Sequence, residues 1–377
     1  MAKKLIILNG NYLTRHNYEM HGFDYFKKNL NCEIYNLSYL TNKLFKKNYK
    51  FYNFTDIHSL KEINSIFKNN KDSYYLDMLM SSPKSIIIRL MMHWYKLTVI
   101  STKYLSTFPN LIYSKQFRLK SFYKLLSFKK INVFLMDRIF NFVEKKDINI
   151  CGGTTNNILC AKKNFLIYAA SCEYSNYLYN KKKISNGKYA VFSDTNFLRH
   201  PDDFHKIGNK LISKVIYKQI KLFFDKFRLL SGIDIIIAAH PTFTNVKILK
   251  NLFPNYSVIK DKTADLLKKS RMLININSST FALAVLYKKP ILHFTSKLIK
   301  EHVDNRAVIN IISKELDTPY IDIDSFELNK KILSNKNLVI NKKKYQMYID
   351  KYIKHPKSPK LHWFESLLSQ LNLSNSK

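Results

Sequence analysis

Three consecutive hydroxyl side chains, Ser278, Ser279 and Thr280, lie between an apolar segment and a helical one. The segment RMLININ (271–277) predicts a β-strand, and FALAVLYKK (281–289) predicts a helix. A turn of this kind brings hydroxyls, backbone N–H groups and the positive end of a helix dipole to one point, which suits a phosphate group. The alternative is that the serines only cap the helix, because serine is a common N-cap residue.

The residues around this turn predict a βαβ unit. A short helix is expected over 263–270, with Asp261 or Thr263 as its N-cap, and it precedes the first strand. Pro290 is expected to end the second helix, and ILHF (291–294) is expected to form a buried strand. Because a helical crossover joins strands that run in the same direction, the second half of the chain is predicted to hold a parallel sheet.

Other apolar segments in the second half also end in polar residues. The strands YAVFSD (189–194) and GIDIIIAA (232–239) are predicted. The first ends in Asp194, and the second is followed by His240, Pro241 and Thr242. In an open parallel sheet, ligands bind at the carboxyl ends of the strands. Asp194 and His240 are therefore predicted to act with the serine turn. The alternative for Asp194 is that it is only a cap or turn residue, and the alternative for His240 is that it is a buried core histidine.

The first half holds two weaker signals of the same kind. The strand LIILNGN (5–11) places Asn9 and Gly10 at its end, and DINICGG (147–153) leads into Gly152, Gly153 and Thr154. Such turns are typical of loops that bind a sugar or a nucleotide, and these residues are predicted to serve the sugar or acceptor side. Two adjacent glycines can also simply form a tight turn between a strand and a helix.

A reaction at this site needs a base, and Glu173 is the carboxylate predicted to supply it, with Glu19 and Asp24 as alternatives. The acidic pairs at 202–203 and 322–324 are not expected to form a metal-binding loop. We therefore expect no metal and no other cofactor.

Chain length and composition predict two domains. The 377 residues are 46% hydrophobic and 14% aromatic, enough to fill two cores of ordinary size. The polar segment NKKKISNGK (180–188) is the expected linker between an amino-terminal domain over 1–180 and a carboxyl-terminal domain over 187–350. A closing helix is expected within 351–377.

The formal net charge of +36 predicts attraction to anionic partners. Lysines occur along nearly the whole chain, whereas nucleic-acid binders concentrate charge in a stripe or tail, often with arginine. We therefore predict no specific nucleic-acid partner. Nucleotides, acidic glycans and an anionic membrane surface remain as expected partners.

The four cysteines are scattered without a CxxC pair, and the amino-terminal apolar run is too short for a signal peptide. We expect reduced thiols and a cytoplasmic protein, with peripheral contact to the inner face of the cell membrane as an added hypothesis.

The membrane hypothesis depends on a basic and apolar region at 81–130. Its apolar runs are interrupted by Arg89, His93 and Lys96, so it falls short of the ~20 residues that a spanning helix needs. Trp94 among lysines is typical of a segment that lies on a membrane surface. The alternative is a pair of core helices with lysines on their outer face.

Several of these motifs together resemble a known group of enzymes. In chain order they are SCEYSNYL, YAVFSDTNFLRHPDD, IIIAAHP, ADLLKKS, the strand that leads into SST, and AVLYKKPI. This order of motifs resembles the carboxyl-terminal domain of bacterial surface-carbohydrate transferases of the GT-B fold. Within that group, it resembles proteins of capsule and lipopolysaccharide biosynthesis. The resemblance covers about residues 149–294.

This resemblance implies an α/β fold of two Rossmann-like domains whose parallel sheets face each other across a cleft. An HP motif followed by an SS or ST motif is also similar to bacterial sialyl- and polysialyltransferases. In those enzymes the histidine and serines hold the phosphate of a cytidine monophosphate donor, and an acidic D/E-D/E-G motif, which this sequence lacks, supplies the base. Glycerophosphotransferases of teichoic-acid synthesis share the HP and serine motifs.

The predicted function is therefore transfer of a sugar from a nucleotide-activated donor, with CMP-sugars among the candidates, to a surface glycan or glycolipid. His240 and the Ser278–Ser279 turn are predicted to stabilise the leaving phosphate without a metal. A nucleotide-sugar 2-epimerase or a polyol-phosphate transferase of the same fold is the alternative. A non-catalytic basic protein that binds membrane or nucleic acid is a third class, and the polar residues at the strand ends argue against it.

Overall fold

The chain folds into two compact units, seen here in a computed structural model. One unit comprises Met1–Ser106, Ile112–Cys172 and Lys354–Lys377, and the other comprises Thr107–Leu111 and Glu173–Ile353. The residues that the structure describes are 4–10, 15–41, 53–80, 82–109, 139, 142–155, 165–180, 184–197, 210–241, 243, 245–302, 306–324 and 338–371.

The first unit is built on a parallel sheet, to which the described residues contribute seven strands. They are β1 (Leu5–Asn9), β2 (Cys32–Asn36), β3 (Thr55–Asp56), β4 (Tyr74–Met78), β5 (Thr98–Ser101), β6 (Ile148–Cys151) and β7 (Phe165–Tyr168). Their order across the sheet is β3-β2-β1-β4-β5-β6-β7. The described helices are α1 (Arg15–Met20), α2 (Phe23–Asn29), α3 (Ser38–Thr41), α4 (Leu60–Asn69) and α5 (Pro83–Trp94), with a 3₁₀ turn at Lys103–Leu105.

Apolar side chains on both faces of this sheet are buried. Ile6 and Leu8 of β1 belong to one core cluster, while Leu5 and Ile7 belong to another, as expected when neighbouring side chains on a strand point to opposite faces. A helix from the end of the chain, α14 (Trp363–Gln370), covers one face with a fully buried Trp363. The carboxyl-terminal helix therefore belongs to the first unit.

The second unit contains the βαβ segment predicted from the sequence. Its described strands are β8 (Tyr189–Ser193), β9 (Asp234–Ala239), β10 (Ser257–Lys260), β11 (Met272–Asn275), β12 (Ile291–Thr295) and β13 (Tyr320–Asp322). All pair in parallel, in the order β10-β9-β8-β11-β12-β13. The predicted parallel sheet is confirmed, and Tyr320–Asp322 forms one of its edge strands.

The helices of this unit lie before, between or after these strands in the chain. They are α6 (Cys172–Asn180), which starts at the division between the units, α7 (Lys210–Ser231), α8 (Val246–Leu252), α9 (Thr263–Lys269), α10 (Thr280–Leu286), α11 (Lys297–His302), α12 (Arg306–Leu316) and α13 (Lys342–Tyr348), followed by a π-helical turn at Ile349–Ile353.

The core of the second unit is aromatic. Helix α7 buries a stripe of side chains spaced three to four residues apart, including Ile216, Ile220, Phe224 and Phe227, because that spacing places them on one face of a helix. Phe224 meets Phe192 of β8 edge to face at 4.9 Å between ring centroids. This packing holds β8 in the middle of the sheet.

Two predicted helix ends differ from the structure. The N-cap of α9 is Lys262, so the prediction of Asp261 or Thr263 is wrong; Asp261 instead has a left-handed backbone with φ of 60°. Helix α10 ends before Pro290, at a turn where Lys288 has φ of 55° and its N–H donates to the carbonyl of Val285. With the N–H of Lys289 on the carbonyl of Ala284 this forms a Schellman motif.

The region at 81–130 is only partly described. Its first part forms α5, β5 and the 3₁₀ turn, so it is neither a helix pair nor one continuous surface segment over 82–109; residues 110–130 lie outside the described part. Within the described residues, no helix has the length and apolar character needed to cross a membrane.

Candidate functional site

Three hydroxyl groups meet at the carboxyl edge of the second sheet. Ser193 Oγ lies 2.9 Å from Ser278 Oγ and 2.9 Å from Thr280 Oγ1, and the last two are also 2.9 Å apart. We call Ser193, Ser278 and Thr280 the hydroxyl triangle. Ser193 is buried, and the other two are half-buried. Hydroxyls can rotate to donate, so the triangle offers up to three donors to one anion.

The topology of the sheet explains why these residues meet. Strands β8 and β11 are adjacent in the sheet although 85 residues separate Ser193 from Ser278. The strand order reverses between them, because β9 and β10 extend to one side of β8 and β12 and β13 extend to the other side of β11. In open α/β sheets, ligands bind outside the carboxyl ends of the strands at such a switch point.

Two buried side chains, Asn275 and His293, support the turn after β11 through hydrogen bonds. The backbone N–H of Ser278 donates to Asn275 Oδ1 across 3.2 Å, and the Asn275 amide nitrogen lies 3.4 Å from Nδ1 of His293 on the neighbouring strand. Because Asn275 can only donate through that nitrogen, His293 Nδ1 accepts and its proton lies on Nε2. Burial lowers the pKa of His293 to about 3, which keeps the ring neutral.

The helix α10 does not use its serine as an ordinary cap. Ser279 is the N-cap residue, yet its side chain makes no capping hydrogen bond, and its backbone is helical with φ of −61° and ψ of −10°. Ser278 Oγ instead accepts the N–H of Thr280 across 3.3 Å. The capping hypothesis thus accounts for a weak local bond of Ser278 but for neither the Ser279 side chain nor the contact with Ser193.

Asp194 joins the ends of β8 and β9. Its carboxylate is buried, it accepts the hydroxyl hydrogen of Tyr217 across 2.9 Å, and the backbone N–H groups of Thr195, Asn196 and His240 also donate to it. Burial outweighs these hydrogen bonds and raises the pKa of Asp194 to about 6. This carboxylate therefore fixes the backbone at His240.

His240 and Pro241 are half-buried and directly follow β9, which lies beside β8. The sheet thus brings the loop of His240, the end of β8 and the serine turn to one edge. Thr242 lies outside the described residues. Glu173 lies in the first turn of α6, on a different element from this edge, and it is half-buried.

The candidate residues of the first unit also follow strand ends. Asn9 is buried at the end of β1, and a Cβ atom on Gly10 would lie 2.9 Å from the backbone nitrogen of Met80, so the close approach of the chains requires glycine there. Gly152 and Gly153 are buried after β6, and Thr154 begins a helical turn. Asn9 donates to Asn36 of the next strand across 3.4 Å.

Ser193 and Asn275 were not predicted from the sequence as parts of the site. Each is the last residue of its strand, which was the only available signal, and its partner lies on another strand. Among the described residues, no group of three or more histidine, cysteine or acidic side chains is arranged to hold a metal. Cys32, Cys151 and Cys172 carry thiols and are not joined in disulfides, and Cys160 lies outside the described part.

Comparison with solved structures identifies the fold of the chain. No protein-family model matches the chain, and no curated protein matches it. Among solved structures, Methanocaldococcus jannaschii UDP-GlcNAc 2-epimerase, determined in complex with UDP-GlcNAc and UDP, has a TM-score of 0.51 at 14% identity, covering 98% of this chain and 99% of that one.

Two further structures are similar at a lower level. Acinetobacter baumannii MurG has a TM-score of 0.48 at 7% identity over 98% of this chain and 99% of that one, and an H444N variant of the wall teichoic acid polymerase TagF has 0.48 at 12% identity over 99% and 89%. These two likenesses are too weak to support an inference. The epimerase likeness and the two parallel sheets show that the chain has the predicted GT-B fold.

Proposed function

We propose that this chain is a glycosyltransferase that moves a sugar from a nucleotide-activated donor to a surface glycan or glycolipid. The observation that carries the proposal is the hydroxyl triangle at the switch point between β8 and β11. A phosphate of the donor nucleotide is the ligand that fits a cluster of neutral hydroxyl donors at that edge.

In the proposed reaction an acceptor hydroxyl attacks the anomeric carbon of the donor sugar. A bond from oxygen to carbon forms, the bond from that carbon to the donor phosphate oxygen breaks, and the nucleotide leaves with the electron pair. The triangle and His240 stabilise the negative charge that develops on this phosphate, since donors held in place before the reaction need no reorganisation. The proton of the acceptor passes to a general base.

Burial argues against Asp194 as that base, because its carboxylate is 1% exposed and already accepts hydrogen bonds from Tyr217 and several backbone N–H groups. We assign Asp194 a positioning role, in which it holds the backbone of His240. Glu173, half-buried on α6, remains the proposed base.

The donor and the acceptor are further parts of the proposal. A CMP-sugar is the first donor to test, because the HP and serine motifs are similar to those of sialyltransferases. The loops at Asn9–Gly10 and Gly152–Thr154 are assigned to the acceptor side. We propose that no metal is needed, so turnover should persist in excess EDTA.

The test has two steps. A thermal-shift screen of CMP, UDP, GDP and CDP-glycerol identifies the nucleotide, because a ligand that binds only the folded state raises the melting temperature. Release of that nucleotide from its sugar conjugate is then measured with and without a glycan acceptor. Release that requires the acceptor supports transfer. Interconversion of the donor sugar without an acceptor would indicate an epimerase, and stabilisation by none of the four compounds would overturn the proposal.

A further inference from the structure

Helix α5 carries an exposed apolar stripe along its length, with the exposed His93 beside it near the carboxyl end. Pro83, Ile87, Leu90 and Trp94 are exposed and lie four, three and four residues apart, so they form one stripe. Ile87 is 43% exposed, Leu90 50% and Trp94 83%. An ordinary surface helix turns its polar side chains outward. On α5 the buried side instead holds Arg89, which is paired with Asp77 at 2.8 Å.

A second exposed aromatic lies near the carboxyl end of this stripe. His93 Nε2 lies 3.0 Å from the carbonyl oxygen of Val143, which brings the neighbouring segment against the carboxyl end of α5. Phe142, next to Val143, is 89% exposed. We call Ile87, Leu90, Trp94 and Phe142 the α5 patch; all four lie in the first unit.

Charge selects among the partners that such a patch could bind. Lys84 lies in the first turn of α5, and Lys96 follows Trp94 closely, so cations lie at both ends of the stripe. The whole chain has a formal net charge of +36, which disfavours close approach of a second copy. An anionic bilayer supplies both the negative surface and the apolar layer below it, and tryptophan favours that boundary.

We propose that the α5 patch docks on the surface of an anionic phospholipid bilayer. The inference rests on the proposed function in one respect: the bilayer would present the glycolipid acceptor of the proposed transferase. Helix α5 has 12 residues, about 18 Å at 1.5 Å per residue, so it lies on the bilayer and does not cross its ~30 Å core.

A second helix provides a matched control. Helix α7 also exposes apolar residues, with Val215 at 50%, Leu222 at 60% and Leu229 at 84%. They are seven residues apart, about 10 Å along the helix, and Lys218 lies between the first two on the same face. This spacing leaves isolated side chains where α5 has a continuous stripe, so α7 is expected to contribute little.

The two tryptophans of the chain make the test direct. Trp94 is 83% exposed and Trp363 is fully buried. Vesicles of phosphatidylcholine with or without phosphatidylglycerol, carrying bromine on their acyl chains, are titrated into the full chain at low salt. Bromine quenches only tryptophan that enters the bilayer, so Trp94 fluorescence should fall with anionic vesicles and recover as salt rises. A Trp94→Phe variant should lose the quenching.

Variants that keep Trp94 as reporter test the patch. The pair Ile87→Gln and Leu90→Gln should weaken vesicle affinity at least tenfold, while Leu229→Gln should leave it unchanged. Sedimentation with vesicles without quenching of Trp94 would overturn the proposal, because binding would then use another surface. No binding, equal binding to neutral vesicles, or self-association that protects Trp94 would also overturn it. Nucleotide affinity, measured without lipid, reports separately on the proposed transferase site.

Discussion

Tyr217 donates its hydroxyl hydrogen to Oδ1 of Asp194 across 2.9 Å, and both side chains are buried beneath the edge that carries His240. Burial raises the pKa of Asp194 from an ordinary 3.8 to about 6. As the pH rises from about 4, the unfolded chain loses this proton first, while the folded chain keeps it until about pH 6. The contribution of Asp194 to stability is therefore full below pH ~4 and is lost as the pH passes ~6.

The pH prediction compares the parent chain with Asp194→Asn, which has no proton to lose. The free energy of unfolding of the parent, minus that of the variant, should fall by roughly 2 kcal/mol between pH 4 and pH 7. Urea titrations at a series of pH values measure this difference. A difference that stays flat or rises with pH would show that Asp194 is not held with a raised pKa.

His293 is predicted to support the serine turn through Asn275. His293→Leu removes the acceptor for the buried amide group of Asn275, and a buried group left without a partner costs about 1–3 kcal/mol. Nucleotide binding should weaken as well, because Asn275 also accepts the N–H of Ser278. His293→Gln, which keeps an acceptor, should restore part of both losses in urea titration and calorimetry. Equal affinity in all three proteins would limit His293 to a structural role.

Lys288 has a left-handed backbone, φ of 55°, at the end of α10. Glycine adopts this conformation without steric cost, so Lys288→Gly should raise the free energy of unfolding by about 1 kcal/mol. Lys288→Ala should give no such gain, since alanine keeps the Cβ atom. Nucleotide affinity should be unchanged in both variants. Destabilisation by glycine would mean that the Lys288 side chain contributes more than its backbone costs.

Lys289, the next residue, is buried and is predicted to behave in the opposite way. Its Nζ donates to the carbonyl oxygens of Ser185 and Ser270 and to Asn186 Oδ1 at 2.5–3.0 Å. Lys289→Met fills the same space but leaves these acceptors without their donor, which should lower the free energy of unfolding by roughly 3 kcal/mol. Thermal and urea melts check this. A nearly native melting temperature would show that water replaces the amine at little cost.

Much of the fold of the second unit could be predicted from local sequence patterns, whereas the candidate site could be predicted only in part. The apolar segments and their polar ends predicted the strands, the parallel sheet and the turn at Ser278. Ser193 was not predicted because no sequence motif distinguishes a single serine beside Asp194. Its contact with Ser278 depends on β8 and β11 being neighbours in the sheet. The pair Asn275 and His293 depends on strand register in the same way. Strand order and register are set by the packing of the whole unit.

Helix ends were predicted least well, for a physical reason. A Schellman turn usually has glycine at the residue that Lys288 occupies. Pro290 correctly indicated that the helix stops, but it could not show where. At α9 the left-handed backbone of Asp261 removed it from the N-cap position. These choices depend on backbone conformations that the residue types alone do not determine.

The central claim is that the hydroxyl triangle holds the donor phosphate. A hydrogen bond to a charged phosphate oxygen is worth about 1.5–3 kcal/mol, so Ser193→Ala, Ser278→Ala or Thr280→Ala should each weaken nucleotide binding roughly 10- to 150-fold. His240→Ala should weaken it comparably. The matched control is Ser231→Ala, whose hydroxyl donates to the carbonyl of Phe227 across 2.7 Å just before β9, at the opposite edge of the same sheet.

The measurement that tests this claim most directly is isothermal titration of the best-stabilising nucleotide into the parent, Ser193→Ala, Ser278→Ala and Ser231→Ala, with melting curves recorded on the same samples. We expect both triangle variants to melt close to the parent and to bind at least tenfold more weakly, while Ser231→Ala loses stability and keeps its affinity. Triangle variants that melt early and still bind as tightly as the parent would contradict the account, because the triangle would then serve only the fold.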